Sequence, residues 1–335
     1  MTPTYPETAD IKSLVDNARH IVIIQADNPD ADSLGSALAL EHILGDLGKE
    51  PYLYCRVHIP DHLRYLEGYD RVSDEMPDQF DLSIIVDTSA DSLLEVTSAD
   101  SGRQKLASKP CIIIDHHDTE PSISFSSVVC NQSAVATGEV IYELARQLEW
   151  PLSPSAGEMI LASIMADSLG LTTEATTSRS IRIIAELVEK GANIPALEQK
   201  RRQLMRRSPE IVAYKGRLLE RIQYDADGRL AFVVIPWEEI RSYSYQYNPS
   251  MLVIEDMRMV TGVAVAIAFK IYQDGKVTAK IRCNYGFGIA GKLAEQFGGG
   301  GHAYSSGFKI TDDRSFEDIK TSCMAAAAEL LDALQ

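Results

Sequence analysis

Cys111-Ile112-Ile113-Ile114-Asp115-His116-His117 is an apolar run that stops on one acid and two histidines. Four successive apolar residues suit a strand buried on both faces. The same grammar recurs upstream. Ile21-Val22-Ile23-Ile24 leads into Asn28-Pro29-Asp30-Ala31-Asp32, and Ser83-Ile84-Ile85-Val86 leads into Asp87. Pro51-Tyr52-Leu53-Tyr54-Cys55 is a further strand-like run without an acid at its end.

Between and after these runs the apolar spacing changes. Leu34, Leu38, Leu40, Ile43, Leu44 and Leu47 follow a helical period over residues 33–47. Residues 135–148, 156–165 and 179–190 read the same way. Alternating strands and helices predict an α/β fold whose N-terminal sheet is mostly parallel and flanked by helices. Residues 191–217 carry few strand signals and a basic cluster of Lys200, Arg201, Arg202, Arg206 and Arg207. They read as a helical connector, with the cluster either a solvated face or a guide for an anionic substrate. Beyond it, residues 230–235, 261–272, 277–283 and 306–310 read as strands, and 289–297 and 316–334 as helices. The expectation is a domain over 1–190, a connector over 191–217, and a smaller α/β domain with a mixed sheet over 218–335.

Composition narrows the function. The 335 residues carry a net charge of −16. Such a surface repels long nucleic acid, whose binding depends on neutralising many phosphates. Small phosphates remain accessible where metal ions mask local charge. No apolar run is long enough to cross a bilayer, and residues 1–7 lack the pattern of a secretion signal. Five scattered cysteines without a CxxC spacing fit reduced thiols of a cytoplasmic protein.

A parallel sheet brings the C-terminal ends of its strands to one edge, where ligands of open α/β folds bind. Asp30, Asp32, Asp87, Asp115, His116 and His117 would converge there, and Asp167 follows an apolar helix nearby in sequence. Taken singly, an acid after a strand is a turn or a helix cap. Taken together, so many carboxylates repel one another unless a cation joins them. Oxygen-rich sites with some imidazole suit Mn²⁺ or Mg²⁺. Two such ions about 3.5–4 Å apart can activate water and steady phosphate oxygens.

These residues resemble the DHH phosphoesterase family, named for the motif found here as Asp115-His116-His117. The resemblance spans nearly the whole chain. Pro29-Asp30-Ala31-Asp32-Ser33-Leu34-Gly35-Ser36, Val86-Asp87 and Ala166-Asp167-Ser168 match further motifs. Gly298-Gly299-Gly300-Gly301-His302 with Ser305-Ser306-Gly307 matches the family's associated C-terminal domain. The chain is most similar in type to the bacterial nanoRNases and pAp phosphatases. The resemblance implies that Asp32, Asp87, His116 and Asp167 hold one ion, and that Asp30 and Asp87 share a second. It further implies that His117 contacts the scissile phosphate and that Asp115 orients the histidines. Short RNA or a small nucleotide is then the substrate, and homodimers are common in the family.

One departure stands out. The family places a metal-binding histidine three residues before the proline, and here that position is Ala26. The expectation is one tightly held ion and one loosely held. Two other readings follow: a linear or cyclic dinucleotide phosphodiesterase, and a nucleotide-binding protein with little catalysis.

In the second domain, four glycines leave backbone N–H groups open to a phosphate. Gly299, Gly300, Gly301 and His302 are therefore candidate substrate contacts. Arg282, which matches a family arginine, has a fork suited to phosphate. Trp237, Tyr285 and Phe287 could stack a base, although aromatics more often fill a core.

Overall fold

A computed structural model describes residues 4–99, 102–118 and 120–334; the side chain of His302 lies outside the described set. The chain divides into two compact units, one ending at Arg206 and the next beginning at Arg207.

In the first unit, α1 (Thr8–Asn17) precedes β1 (His20–Ile24), α2 (Ala31–Asp46) and β2 (Glu50–Tyr54). Then come β3 (Leu82–Val86), α3 (Gly102–Ala107), β4 (Cys111–Asp115) and β5 (Val128–Asn131). The sheet order is β2-β1-β3-β4-β5 and every pairing is parallel. Helices α4 (Thr137–Gln147), α5 (Pro154–Asp167), α6 (Ser178–Glu189) and α7 (Ile194–Leu204) complete the unit.

Both faces of this sheet are covered, which explains its unbroken apolar strands. Ile21, Ile23, Ile84, Val86, Ile112 and Ile114 share a core with α2, α4 and α5. Val22, Ile24, Ile85 and Ile113 face Phe80, Leu94 and Leu106 on the other side. Chain direction across the sheet reverses at β1, which has β2 on one side and β3 on the other. The loops after β1 and β3 therefore leave the switch point of the sheet, and they carry Asp30, Asp32 and Asp87.

The expected connector resolves into two helices in different units. Its basic cluster is largely paired locally. Arg201 and Arg202 both bond Glu198, Lys200 reaches Glu67 and Glu158, and Arg207 lies over the Tyr247 ring. That is the solvated-face reading.

The second unit contains α8 (Pro209–Glu220), β6 (Gln223–Asp225), β7 (Leu230–Ile235), α9 (Trp237–Tyr243) and α10 (Pro249–Arg258). It continues through β8 (Val265–Ile271), β9 (Val277–Cys283), α11 (Ala290–Glu295), β10 (Gly300–His302), β11 (Ser305–Ile310) and α12 (Phe316–Asp332). Its sheet order is β10-β11-β9-β8-β7-β6, mixed because β7 and β8 run parallel. The glycine run is not an open loop throughout: Gly300, Gly301 and His302 pair antiparallel with Gly307, Ser306 and Ser305. Two of its glycines are demanded by packing. A Cβ on Gly299 would lie 2.2 Å from the Gly307 carbonyl oxygen, and one on Gly301 would lie 2.7 Å from that of Ser305.

In the first unit, α2 meets α5 closely at Gly35, where a Cβ would sit 2.9 Å from the Met159 carbonyl oxygen. Backbone cannot yield as a flexible side chain can. We expect Gly35→Ala to destabilise the fold by about 1–3 kcal/mol, the usual range for overpacking. A fall in the thermal midpoint would register it; an unchanged midpoint would mean the helices part freely.

Candidate metal centre

The loop after β1 turns directly into α2. Asp30 is the N-cap of that helix: its Oδ1 accepts the amides of Asp32 and Ser33, and the Ser33 hydroxyl accepts the Asp30 amide. This capping box holds Asp32 in the first helical turn, where it is buried. Four donors surround the Asp32 carboxylate. Ser163 Oγ donates at 2.5 Å, Thr137 N at 2.8 Å, Ser36 Oγ at 3.1 Å and Gly138 N at 3.4 Å. Two of these are the first amides of α4, whose own N-cap residue, Ala136, makes no side-chain cap. Asp32 supplies that cap from another helix. Gly138 is small for this reason, since a Cβ there would lie 2.2 Å from Ser163 Oγ.

Asp87 follows β3 with a positive φ of 63°. Its amide donates to the Ile114 carbonyl at 2.9 Å, which continues the ladder toward β4. Left-handed backbone is rare outside glycine but tolerated by aspartate, and it marks functional sites. The turn points the carboxylate where Thr137 Oγ1 donates to Oδ1 at 3.0 Å. Burial pushes the Asp87 carboxyl well above the usual carboxylate range, and the charges of Asp32 and Asp30 push it further. Asp167, the last residue of α5, is raised to about 6 by burial and by Asp32.

His116 is set among these acids by a single bond. Its Nδ1 donates to the Ala134 carbonyl oxygen at 3.1 Å, which leaves the lone pair on Nε2. That nitrogen is 3.5 Å from Asp32 Oδ2, 3.5 Å from Asp87 Oδ1 and 3.5 Å from Asp167 Oδ2. Neighbouring ligands of an octahedral ion bound at about 2.1 Å lie about 3 Å apart, so the spacing suits a shared ion. Asp32, His116 and Asp167 have ligand atoms within 4.8 Å of one another, as do Asp87, His116 and His117. The donor set, oxygen with one oriented imidazole, fits Mn²⁺ or Mg²⁺.

Asp115 is fully buried at the end of β4 and works through its neighbours. Its Oδ1 accepts the amide of His116 at 2.8 Å and Nδ1–H of His117 at 2.8 Å. Burial raises its carboxyl, but the bonds from His117 outweigh this and leave it below the usual range. The bond to Asp115 in turn raises the His117 imidazole above its ordinary value. With Nδ1 engaged, Nε2 of this half-exposed ring is the nitrogen free to meet a substrate.

Among the described residues, Asp30 joins neither cluster; one oxygen serves its cap. The position of the absent histidine is equally informative. Ala26 is buried, and the adjacent Asp27 is committed elsewhere. Its carboxylate accepts the amides of Val96 and Thr97 and the Thr97 hydroxyl, at 2.6, 3.1 and 2.8 Å. It is therefore no substitute ligand.

Residues 20–169 match the DHH family, N-terminal domain. This part of the chain is a DHH domain. Over 310 residues the chain is 24% identical to the bifunctional oligoribonuclease and PAP phosphatase NrnA of Bacillus subtilis, covering 90% of this chain and 94% of that one. An exopolyphosphatase-related protein from Bacteroides fragilis superimposes with a TM-score of 0.86 at 21% identity, over 99% of this chain and 100% of that one. RecJ of Thermus thermophilus, solved in complex with Mn²⁺, gives a TM-score of 0.57 at 15% identity, over 98% of this chain and 56% of that one.

The second unit holds the other candidates. Arg282 lies on β9, between Ala266 on β8 and Ser305 on β11, and its Nη1 donates to the Ile281 carbonyl. Gly299, Gly300 and Gly301 lie at or in the edge strand β10, with His302 at its end. Residues that the motifs did not reveal are Thr137, Gly138 and Ser163, which with Ser36 of the first motif ring Asp32 with donors. For Thr137 and Ser163 a hydroxyl among buried helix positions is the one sequence signal, and Gly138 donates through its backbone amide and has none.

The metal-free DHH domain holds like charges in a buried space, and this costs stability. A carboxyl with a raised folded pKa loses folding stability as pH climbs from the unfolded value through the folded one. We expect Asp87→Asn, in chelator at neutral pH, to raise the thermal midpoint by at least about 2–4 °C, the response to roughly 1 kcal/mol. Added Mn²⁺ should then stabilise the variant far less than the parent. A lower midpoint in chelator would contradict the charge-crowding account.

Proposed function

We propose that this chain is a metal-dependent phosphoesterase that releases nucleoside monophosphates from short oligoribonucleotides and phosphate from a nucleotide bisphosphate such as pAp. The observation that carries the reading is His116 Nε2 standing 3.5 Å from each of three carboxylates. Such a cluster needs a cation, and the DHH domain is the setting in which that cation handles phosphates. The name of the Bacillus subtilis relative, aligned over nearly its full length, supports the choice of substrate.

Asp32, Asp87, His116 and Asp167 would hold the ion. A divalent ion there would make water more acidic and would offset charge on the phosphoryl oxygens. The remaining work falls to the chain. Asp115 fixes the tautomer and the aim of His117, and His117 presents Nε2–H to a phosphate oxygen. Asp30 holds the turn that delivers Asp32, and the donors on Asp32 hold its carboxylate still. In the second unit, Arg282 on β9 takes a phosphate of the substrate, and the glycine edge at Gly299, Gly300 and Gly301 with His302 lies on the far side of β11.

A second ion would have Asp30 and Asp87 from the chain, with Ala26 supplying nothing and Asp27 tied to Val96 and Thr97. We infer one tight ion and one loose one. Calorimetric titration with Mn²⁺ should give two affinities at least about tenfold apart, and Ala26→His should bring them together. Two equally tight sites in the parent would refute this.

The activity test is a hydrolysis panel with Mn²⁺ or Mg²⁺: RNA from two nucleotides up, pAp, linear and cyclic dinucleotides, and pyrophosphate. Cleavage of the shortest RNA and of pAp is expected, with loss of at least about 100-fold in Asp87→Ala. Arg282→Ala should raise KM more than it lowers kcat. Silence across the panel while nucleotide still binds would instead favour a binding protein, as the missing histidine at Ala26 could produce.

A further inference from the structure

Two aromatic rings stand out from the end of the second sheet. Tyr285 is 76% exposed and Tyr304 is 42% exposed. They come from different loops, yet their rings are nearly parallel, at 13°, with centroids 6.3 Å apart. Each is held firmly at its base. Tyr304 lies in the short turn between β10 and β11, and its carbonyl accepts the Cys283 amide at 3.0 Å. Its ring rests on Gly288, where a Cβ would come within 3.3 Å of it. Tyr285 follows Asn284, whose side-chain amide donates to the carbonyls of Arg258 and Val263, both at 2.8 Å. Phe287, 39% exposed, lies in the same loop.

The sheet beside these rings carries cations that close no ion pair, although the charge of Glu255 reaches Arg282. Arg282 precedes Tyr285 by three residues and pairs in register with Ser305, the neighbour of Tyr304. Lys280 is two residues back on the same face, about 7 Å along the strand. Small residues lie across from both, Ser305 from Arg282 and Gly307 from Lys280 on β11, and Ala266 and Ala268 on β8. Lys270, on β8 across from Thr278, extends the row. No ion pair among the described residues includes Lys270, Lys280 or Arg282. Burial lowers the basicity of all three, and the charge of Lys280 lowers Lys270 further, to about 8. Ala266 and Ala268 are buried against the helices of this unit, so the side left for an anion beside Arg282 and Lys280 is that of Ser305 and Gly307 on β11, and the exposed ring of Tyr285 beyond it offers a face to a planar apolar group. A nucleotide has both parts.

We propose that Tyr285 and Tyr304 form a stacking platform for a nucleobase whose phosphates are held by Arg282 and Lys280. This rests on the reading of the substrate as a short nucleotide, and adds what distinguishes it from a bare phosphate chain. Stacking is tolerant of base identity, because every base has a π-face. The platform therefore selects for the presence of a base, not for its sequence.

The test uses the full chain with divalent ions chelated, so that nothing is hydrolysed. Calorimetric titration with pApA is compared with titration by inorganic pyrophosphate, which lacks bases. The double variant Tyr285→Ala with Tyr304→Ala should bind pApA roughly 5–150-fold more weakly, the range for losing a stacked base. Its affinity for pyrophosphate should fall far less. Tyr285→Trp should keep pApA affinity, and its indole fluorescence should be quenched by pApA and not by pyrophosphate. Equal losses for both ligands, or an indole blind to saturating pApA, would overturn the platform. Quenching in a protein that hydrolyses nothing would uphold it and defeat the hydrolase reading; hydrolysis without quenching would do the reverse.

Discussion

Mutual repulsion among acids in a buried space governs the first unit. Asp32 and Asp87 are both nearly inaccessible, and Asp167 closes on the same point. Each would prefer water, and burial of unpaired carboxylates is among the costlier things a fold can do. The structure offsets the cost with donors that cannot leave. Helix α4 presents Thr137 and Gly138 amides to Asp32, and Ser36 and Ser163 add hydroxyls. These groups belong to three helices, α2, α4 and α5, so the packing of those helices and the geometry of the centre are one problem. Gly35 and Gly138 mark the places where the approach is too close for a side chain.

The same acids are therefore structural elements as well as candidate ligands. Asp32 caps a helix distant in sequence while facing His116, and Asp30 caps its own helix while standing beside the cluster. A cap is normally read as the bland explanation of an acid at a helix start. Here capping is what makes the acid useful. A carboxylate fixed by several amides has no freedom to swing away, so an ion arriving there meets ligands already in place. Asp115 does the equivalent for imidazole, ordering His116 through its backbone and His117 through its ring.

Much of this was legible in the sequence because it follows from burial on two faces. Strands β1 to β4 declare themselves as strand-like runs, and the acids after β1, β3 and β4 show which edge is polar. The strand β5 was not legible: Val128-Val129-Cys130-Asn131 is too short, and mostly only half-buried. Nor was β10, since glycines read as loop until a partner strand demands them. Helix α10 begins at Pro249 and its central apolar run, Met251 to Ile254 by position, has no period that separates helix from strand. The donors on Asp32 escaped for a different reason. Thr137 and Ser163 sit in helices outside the motifs, and their meaning depends on a carboxylate 105 and 131 residues away.

Asp27 shows how a local departure is absorbed. Where related motifs carry a histidine, this chain has Ala26, and a nearby acid would seem a ready replacement. The structure uses that acid to bind the segment at Val96 and Thr97, drawing in two amides and a hydroxyl. Freeing Asp27 for an ion would break three hydrogen bonds that hold the segment at Val96 and Thr97. The loop after β1 therefore has no cheap route back to a full complement of ligands. Any ion on the Asp30 side must complete its coordination with water or with the substrate's own phosphate oxygens. Its binding would then become part of substrate binding, whereas an ion at His116 would meet protein ligands whether substrate is there or not.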